Sequence, residues 1–131
     1  IFIHIVEQYR NTLEKALHSS KNFNPPESLK ELIALAKDHV SLGNITGEGW
    51  LLTAEMISLI KNGINNIICL QPFGCLPNHI VGKGMIRELL HSYPQANIVP
   101  IDCDSGASEV NQLNRIKLML AVAFEKIKEH K

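Results

Sequence analysis

Two short segments rich in β-branched residues, at positions 64–70 and 96–102, limit what this chain can fold into. Each is short, apolar and bounded by turn-forming residues, as expected of a buried strand. Between them, apolar residues recur at helical spacing over residues 85–92. A strand, a helix and a second strand in this order form a right-handed unit with parallel strands. The sequence therefore predicts an α/β fold with a partial parallel sheet, in which Pro100 favours an edge position or the end of the ladder.

Four further segments have helical periodicity and surround this unit: residues 2–18, 25–39, 50–61 and 108–124. Asn24 and Glu27 are spaced as a capping box for the second of them, and Gly63 is placed as a C-cap for the third. The pattern divides the chain into a helical N-terminal lead-in, residues 1–42, and an α/β region, residues 43–131, whose sheet is flanked by helices on both faces. Two strands make a thin sheet, so either the missing strands lie in other sequence or the helices do most of the packing.

The middle of the last helix, residues 118–124, is apolar on every side. A helix that is apolar all round is normally buried. This segment therefore predicts packing against another domain of a longer parent chain or against a second copy, which would make the protein a homo-oligomer.

Charge and composition exclude several classes of protein. The 13 basic and 13 acidic side chains cancel, which argues against a nucleic-acid partner. The longest apolar run is far shorter than the ~20 residues that a membrane-spanning helix needs. The chain opens on Ile1 without a signal-peptide pattern, and we expect it to be a piece of a longer protein. Three cysteines disfavour a disulfide framework and favour a cytoplasmic location.

The loop that follows the first predicted strand carries Cys75 between two prolines, just before a helix. In open α/β sheets, ligands bind outside the carboxyl ends of the strands. A thiol at this position is suited to metal ligation or to attack on an electrophile, because the helix dipole favours the thiolate. The alternative is a free cysteine that only packs. Cys69 and Cys103 could add two more thiols at neighbouring strand ends, although no CxxC pair is present.

The loop after the second predicted strand contains Ser105, Gly106 and Ser108 at the start of the last helix. Backbone N–H groups at a helix start can bind an anion such as phosphate, and Lys83 between two glycines could add a cation. The alternative for this loop is a capping turn in which Asp104 satisfies the local backbone. Residues 43–49 are rich in glycine but lack the Gly-Lys-Ser/Thr ending of a Walker loop, so they predict a turn.

Three blocks of sequence go beyond periodicity. The first is GEGWLLTAEM at positions 47–56, and the second is QPFGCLPNH at 71–79 with GKGM at 82–85. The third comprises ANIV at 96–99, DCD at 102–104 and GASEVNQLNRIKLML at 106–120. Together they resemble the activators of 2-hydroxyacyl-CoA dehydratases, also called CoA-substrate-specific enzyme activases, over about residues 43–120.

The resemblance implies a function for the whole parent protein. Full-length members of that family join acetate-kinase-like ATPase domains to regions similar to the iron-sulfur dehydratase subunits, and this chain resembles part of the latter. ATP would therefore be bound by domains outside this chain. The implied partners are those other domains and a 2-hydroxyacyl-CoA dehydratase, to which an electron is passed for a radical dehydration.

Within the chain, the resemblance assigns Cys75 to the family's Pro-Phe-x-Cys-x-Pro block and implies that it is a ligand of an iron-sulfur cluster. We expect the chain alone to show no ATPase or dehydratase activity, because it lacks a nucleotide site and a complete set of proton-transfer groups. Two other classes of function stay open. One is a module that binds a CoA phosphate through Lys83, Ser105, Gly106 and Ser108, and the other is a non-catalytic scaffold of the parent protein.

Overall fold

The computed structural model describes residues 2–20, 22–23 and 25–129, and within these it contains five α-helices and two strands. Their order along the chain is α1 (Phe2–Ser19), α2 (Leu29–Ala36), α3 (Leu51–Lys61), β1 (Asn66–Pro72), α4 (Ile86–Ser92), β2 (Asn97–Cys103) and α5 (Glu109–Glu129). A π-helical turn, Asn78–Gly82, and a 3₁₀ turn, Lys83–Met85, lead directly into α4. Leu76 and Pro77 before them are also helical, so the helical segment between the strands starts at residue 76 rather than at the predicted residue 85. No helix among the described residues is long and apolar enough to span a bilayer.

The two strands are parallel, which confirms the predicted β-α-β unit. Their register runs from Asn66 opposite Asn97 to Pro72 opposite Cys103. The N–H of Asn97 donates to the carbonyl of Asn65, the residue before β1, so the alternate residues of β2, including Pro100, direct their backbone groups away from β1. Pro100 therefore removes no hydrogen bond from the ladder.

The start of β1 lies two residues after the predicted one. The N–H of Ile64 donates to the carbonyl of Leu59 at 2.9 Å, so Ile64 still belongs to the end of α3. Gly63 follows the last turn with a φ of +83°, the left-handed conformation that a helix C-terminus commonly needs. Gly63 thus ends α3 one residue beyond the C-cap, which the structure places at Asn62.

One face of the sheet is covered by α3 and α4. Ile57 and Leu89, both fully buried, meet Ile67 and Ile98 from the strands in a single apolar cluster. Helix α5 covers the other face, since the Asn97 amide donates to the carbonyl of Met119 at 2.9 Å. Helices therefore flank the sheet on both faces, as the sequence predicts.

Helix α2 packs against α3 and starts later than predicted. Asn24, the predicted N-cap, lies outside the described residues, and the structure places the N-cap at Ser28. The Glu31 carboxylate accepts from the Ser28 N–H at 2.7 Å, and the Ser28 hydroxyl accepts from the Glu31 N–H at 3.4 Å. This capping box fixes the start of α2 at Leu29. Ala36 of α2 is buried against Ala54 and Val81 in a second apolar cluster.

Thr53 ties α3 to the segment that precedes α4. Its side chain is fully buried and its hydroxyl donates to the carbonyl of Val81 at 2.5 Å. We expect Thr53→Val to lower the free energy of unfolding by about 1–3 kcal/mol, because this substitution preserves shape but removes the donor to a buried carbonyl. Urea denaturation measures the change. Thr46→Val, at an exposed position, is the control and should cost under about 0.5 kcal/mol, and equal losses in the two variants would show that the Thr53 bond contributes nothing.

Candidate functional site

The loops that follow β1 and β2 lie side by side at the carboxyl end of the sheet. They are joined by a hydrogen bond of 3.2 Å from the Phe73 N–H to the Cys103 carbonyl. The structure thus brings the two predicted loops together at the edge where open α/β sheets bind ligands.

Cys75 is half-buried and is held in place by its loop. Gly74 adopts a φ of +68°, and the Cys75 N–H donates to the Pro72 carbonyl at 3.1 Å, which closes a tight turn at the end of β1. The Cys75 thiol donates to Asn78 Oδ1 at 2.8 Å. Asn78 in turn donates through Nδ2 to the Leu70 carbonyl at 2.9 Å, and this second bond fixes which atom of the amide faces the sulfur. The orientation of the thiol is therefore determined by the end of β1.

Three apolar side chains within five residues of Cys75 are exposed, alongside the polar Asn78 and His79. Phe73, Leu76 and Ile80 are exposed by 83%, 65% and 58%. We call these three side chains the apolar collar of Cys75. An exposed group of this kind beside a half-buried thiol is typical of a surface that another protein covers.

Residues 43–49 support the same loop from the opposite side. A Cβ atom on Gly47 would lie 3.0 Å from the Pro77 ring, so the two segments are in close contact. A small cavity of about 120 Å³ lies between them, lined in part by Asn44, Thr46 and Ile80. The predicted turn in this segment therefore positions the Cys75 loop.

Cys69 and Cys103 do not join Cys75 in one cluster. Cys69 lies opposite Pro100 in the register of the two strands, on the face of the sheet that α3 and α4 cover. Cys103 follows Pro100 by three residues in β2, so its side chain points to the opposite face, which α5 covers. The two thiols are thus on opposite faces. Among residues 2–20, 22–23 and 25–129, no three His, Cys, Asp or Glu side chains are grouped so that they could hold a metal ion. Cys75 can therefore supply one ligand of a metal centre, and the others would have to come from elsewhere.

Cys69 lies beneath the π-helical turn, in a more restricted environment than the other thiols. A Cβ on Gly82 would lie 3.3 Å from its sulfur, and the buried Gln71 amide donates to the sulfur at 3.1 Å. Burial raises the pKa of the Cys69 thiol, and the hydrogen bond from Gln71 opposes that rise. Cys103, by contrast, is exposed.

These environments predict the order in which the thiols react with iodoacetamide. We expect Cys103 to be modified first, Cys75 next and Cys69 at least about tenfold more slowly than Cys75, because its thiolate is disfavoured and its sulfur is covered. Time-resolved alkylation followed by peptide mass spectrometry gives the three rates. Denatured protein is the control, in which the rates should converge. Equal rates for Cys69 and Cys75 in the folded chain would contradict this assignment.

The predicted anion loop forms a local turn closed by Asp104. The Asp104 carboxylate accepts from the Gly106 N–H at 2.8 Å, and its backbone carbonyl accepts from the Ala107 N–H at 3.1 Å. Ser105, Gly106 and Ser108 are all exposed. The Gly106 N–H, which could otherwise bind an anion, is therefore already bonded to Asp104, as the capping-turn alternative predicts.

Lys83 reaches the same end of the sheet but is paired with a carboxylate. Its Nζ lies 2.9 Å from Oδ1 and 3.3 Å from Oδ2 of Asp102, the residue just before the end of β2. The hydrogen bond from Lys83 lowers the pKa of Asp102. Both side chains are more than a third exposed, so the pair contributes little to stability. The structure thus places Lys83 at the end of β2 with its charge compensated by Asp102.

Two polar residues of α5 complete this region and were not among the sequence-predicted site residues. Gln112 Nε2 donates to the Asp102 carbonyl at 2.6 Å, and Arg115 Nη1 donates to the Pro100 carbonyl at 3.1 Å. Their spacing of three residues places them on one face of α5. That spacing is common on solvated helices, so it carries no distinctive signal. Together with Asp104 and Ser108 they line an open cleft of about 310 Å³.

Comparisons with protein-family models, with curated proteins and with solved structures found no match to this chain. The site is therefore interpreted from its own geometry and from the sequence blocks described above. Those blocks converge in the structure: GEGW at positions 47–50 contacts the Cys75 loop through Gly47 and Pro77, and DCD at positions 102–104 ends β2 beside it.

Proposed function

We propose that this chain is a segment of a 2-hydroxyacyl-CoA dehydratase activator and that Cys75 is one ligand of an iron-sulfur cluster in it. The observation that carries the proposal is the placement of the Cys75 sulfur. It is half-buried, oriented by Asn78 and located at the carboxyl end of a parallel sheet. It also lies within the Pro-Phe-x-Cys-x-Pro block of the proposed family.

The surroundings of Cys75 fit this role. A thiolate is the usual protein ligand of iron-sulfur clusters, and solvent exclusion helps to set their reduction potential. The apolar collar of Phe73, Leu76 and Ile80 offers a surface that a partner can cover, so that the thiol would be removed from water on association. The remaining ligands would come from other domains of the parent chain or from the dehydratase. When bound, the cluster would supply one-electron chemistry.

The residues of this chain have three tasks under this proposal. Asn78 orients the Cys75 sulfur, and the Gly47 contact with Pro77 keeps the loop in place. The collar excludes water and contacts the partner. ATP would be bound by domains outside this chain, and the parent protein would work in the reducing environment of the cytoplasm.

The test is ATP-dependent activation of a 2-hydroxyacyl-CoA dehydratase by the full-length protein that contains this segment. Cys75→Ser should abolish activation and leave ATP hydrolysis intact, whereas Cys103→Ser, which changes an exposed thiol at the end of β2, should preserve both. If Cys75→Ser activates as well as the unchanged protein, the loop is a scaffold rather than a redox site. The present chain by itself should show no turnover of ATP or of a 2-hydroxyacyl-CoA.

A second candidate function is binding of a CoA phosphate at the cleft beside α5. The observation in its favour is the exposed cleft that the Ser105 to Ser108 loop forms with Arg115 at the end of β2, where Lys83 pairs with the Asp102 carboxylate. Bound phosphate would have to compete with Asp102 for Lys83 and with Asp104 for the Gly106 N–H. Calorimetry with free CoA and this chain tests it, since such binding requires no metal. Heat of binding that disappears in Lys83→Ala would favour this candidate.

A further inference from the structure

The chain exposes more surface than a compact protein of its size. Its accessible area is 9474 Å², whereas a folded monomer of 14.6 kDa exposes about 6,900 Å². If each of two copies buried this excess of about 2,600 Å², their interface would bury about 5,200 Å² in total, which is in the range of obligate homodimers. Two separate apolar surfaces contribute to this excess.

The first surface is a stripe along α1, a helix without a buried residue. Its apolar side chains recur every three or four residues and therefore lie on one face. We call this set the α1 stripe, and each member is exposed by 44% to 86%: Phe2, Ile5, Val6, Tyr9 and Leu13.

The second surface lies over β1, on the face of the sheet that carries α5. Ile68 and Leu70 point to this face, because they are paired with Val99 and Ile101 and alternate with the buried Ile67. Ile101 is buried beneath α5, whereas Ile68 and Leu70 are exposed by 43% and 53%. Helix α5 therefore covers β2 and leaves β1 uncovered.

The orientation of α5 shows which of its residues border the uncovered strand. Arg115 donates to the Pro100 carbonyl, which points away from β1, so the flank of α5 that carries Arg115 faces the outer edge of β2. The opposite flank faces β1. By helical geometry this flank carries four apolar residues, each exposed by 43% to 60%: Leu113, Leu120, Phe124 and Ile127. We call these four residues, with Ile68 and Leu70, the open face.

We propose that two copies of this chain associate by packing the α1 stripe of each copy into the open face of the other. This inference is independent of the proposed redox function. The dimensions agree, since Phe2 to Leu13 spans about 17 Å of helix and Leu113 to Ile127 spans about 21 Å. A two-fold axis makes the exchange reciprocal, so the dimer closes and both apolar surfaces of each chain are covered.

A helix suits the open face better than an added strand does. Asn78 Nδ2 already bonds to the Leu70 carbonyl at the outer edge of β1, which obstructs strand pairing there.

The α1 helix of the same chain lies away from the open face. Its Arg10 and Glu14 lie beside residues 25–31 at the start of α2, which packs on α3, and α3 covers β1 from the opposite face of the sheet. Self-packing of two open faces would leave the α1 stripe exposed.

Sedimentation velocity over a wide concentration range tests the proposal with variants at exposed positions. Tyr9→Glu in the stripe and Phe124→Glu in the open face should each weaken dimerisation by about a hundredfold or more, because each removes an aromatic contact and buries a charge. Leu118→Glu is the matched control. Leu118 is exposed by 67% on the other flank of α5, so this variant should remain dimeric. Circular dichroism verifies that all three variants are folded.

Mixing the two variants distinguishes reciprocal packing of each α1 stripe into the other copy's open face from other arrangements of the dimer. A heterodimer of Tyr9→Glu and Phe124→Glu retains one intact contact, so the mixture should associate measurably although neither variant does so alone. The proposal is overturned if the unchanged chain is monomeric, if Tyr9→Glu dimerises normally, or if the mixture shows no association. None of these readouts depends on iron, so the outcome is separate from that of the redox proposal.

Discussion

Gly49→Ala is expected to lower the free energy of unfolding by about 3 kcal/mol, a large fraction of the 5–15 kcal/mol that typically stabilises a domain. Gly49 is buried and has a φ of +53°, a conformation that costs an L-residue about 1 kcal/mol or more. An added Cβ would also lie 2.0 Å from the Asn44 carbonyl oxygen, so the backbone has to move. That movement strains the 2.9 Å hydrogen bond from the Trp50 N–H to the same oxygen. Thermal or urea denaturation measures the loss.

Gly63→Ala is the matched control for this experiment. Gly63 has a φ of +83°, but no atom lies within 4 Å of the position that its Cβ would occupy. Its substitution should cost about 1 kcal/mol, the conformational part alone. Because residues 43–49 support the Cys75 loop, Gly49→Ala should also accelerate alkylation of Cys75 in the folded protein, and Gly63→Ala should not. Equal losses of stability in the two variants would show that the close contact with Asn44 is unimportant.

The parallel β-α-β unit could be predicted from sequence because its signals are local. A short β-branched segment and a helical period of apolar residues report burial of one element at a time. The start of α2 could not be fixed in this way, since Asn24 with Glu27 and Ser28 with Glu31 both match a capping box. The structure selects Ser28, whose helix begins after Pro25 and Pro26.

The candidate site was predictable only in its location. The carboxyl ends of two parallel strands had to meet, and the Cys75 loop and the Ser105 to Ser108 loop do so. The ion pair of Lys83 with Asp102 depends on the register of the strands, which no local pattern specifies. The same register places Cys69 and Cys103 on opposite faces, which sequence spacing alone did not reveal.

Replacement of Cys75 should have the largest effect on metal content. A cluster held by protein thiolates is weakened when one of them becomes a hydroxyl, which ligates iron poorly. Under the proposed assignment, a full-length activator that contains this segment, prepared without oxygen, should lose most of its iron and sulfide in Cys75→Ser. Cys103→Ser is the matched control, because it removes an exposed thiol at the end of β2, outside the Cys75 loop. Cys69→Ser should also retain iron, since that sulfur is covered by the turn at Gly82.

The most direct test of the proposed role of Cys75 is the content of iron and acid-labile sulfide per chain. It is measured anaerobically, together with the visible absorbance, in these three variants and in the unchanged full-length protein. We predict iron, sulfide and broad visible absorbance in the unchanged protein, in Cys103→Ser and in Cys69→Ser, and their loss in Cys75→Ser alone. Full retention of iron and sulfide in Cys75→Ser, or their loss only in Cys69→Ser, would contradict the assignment of Cys75 as a cluster ligand.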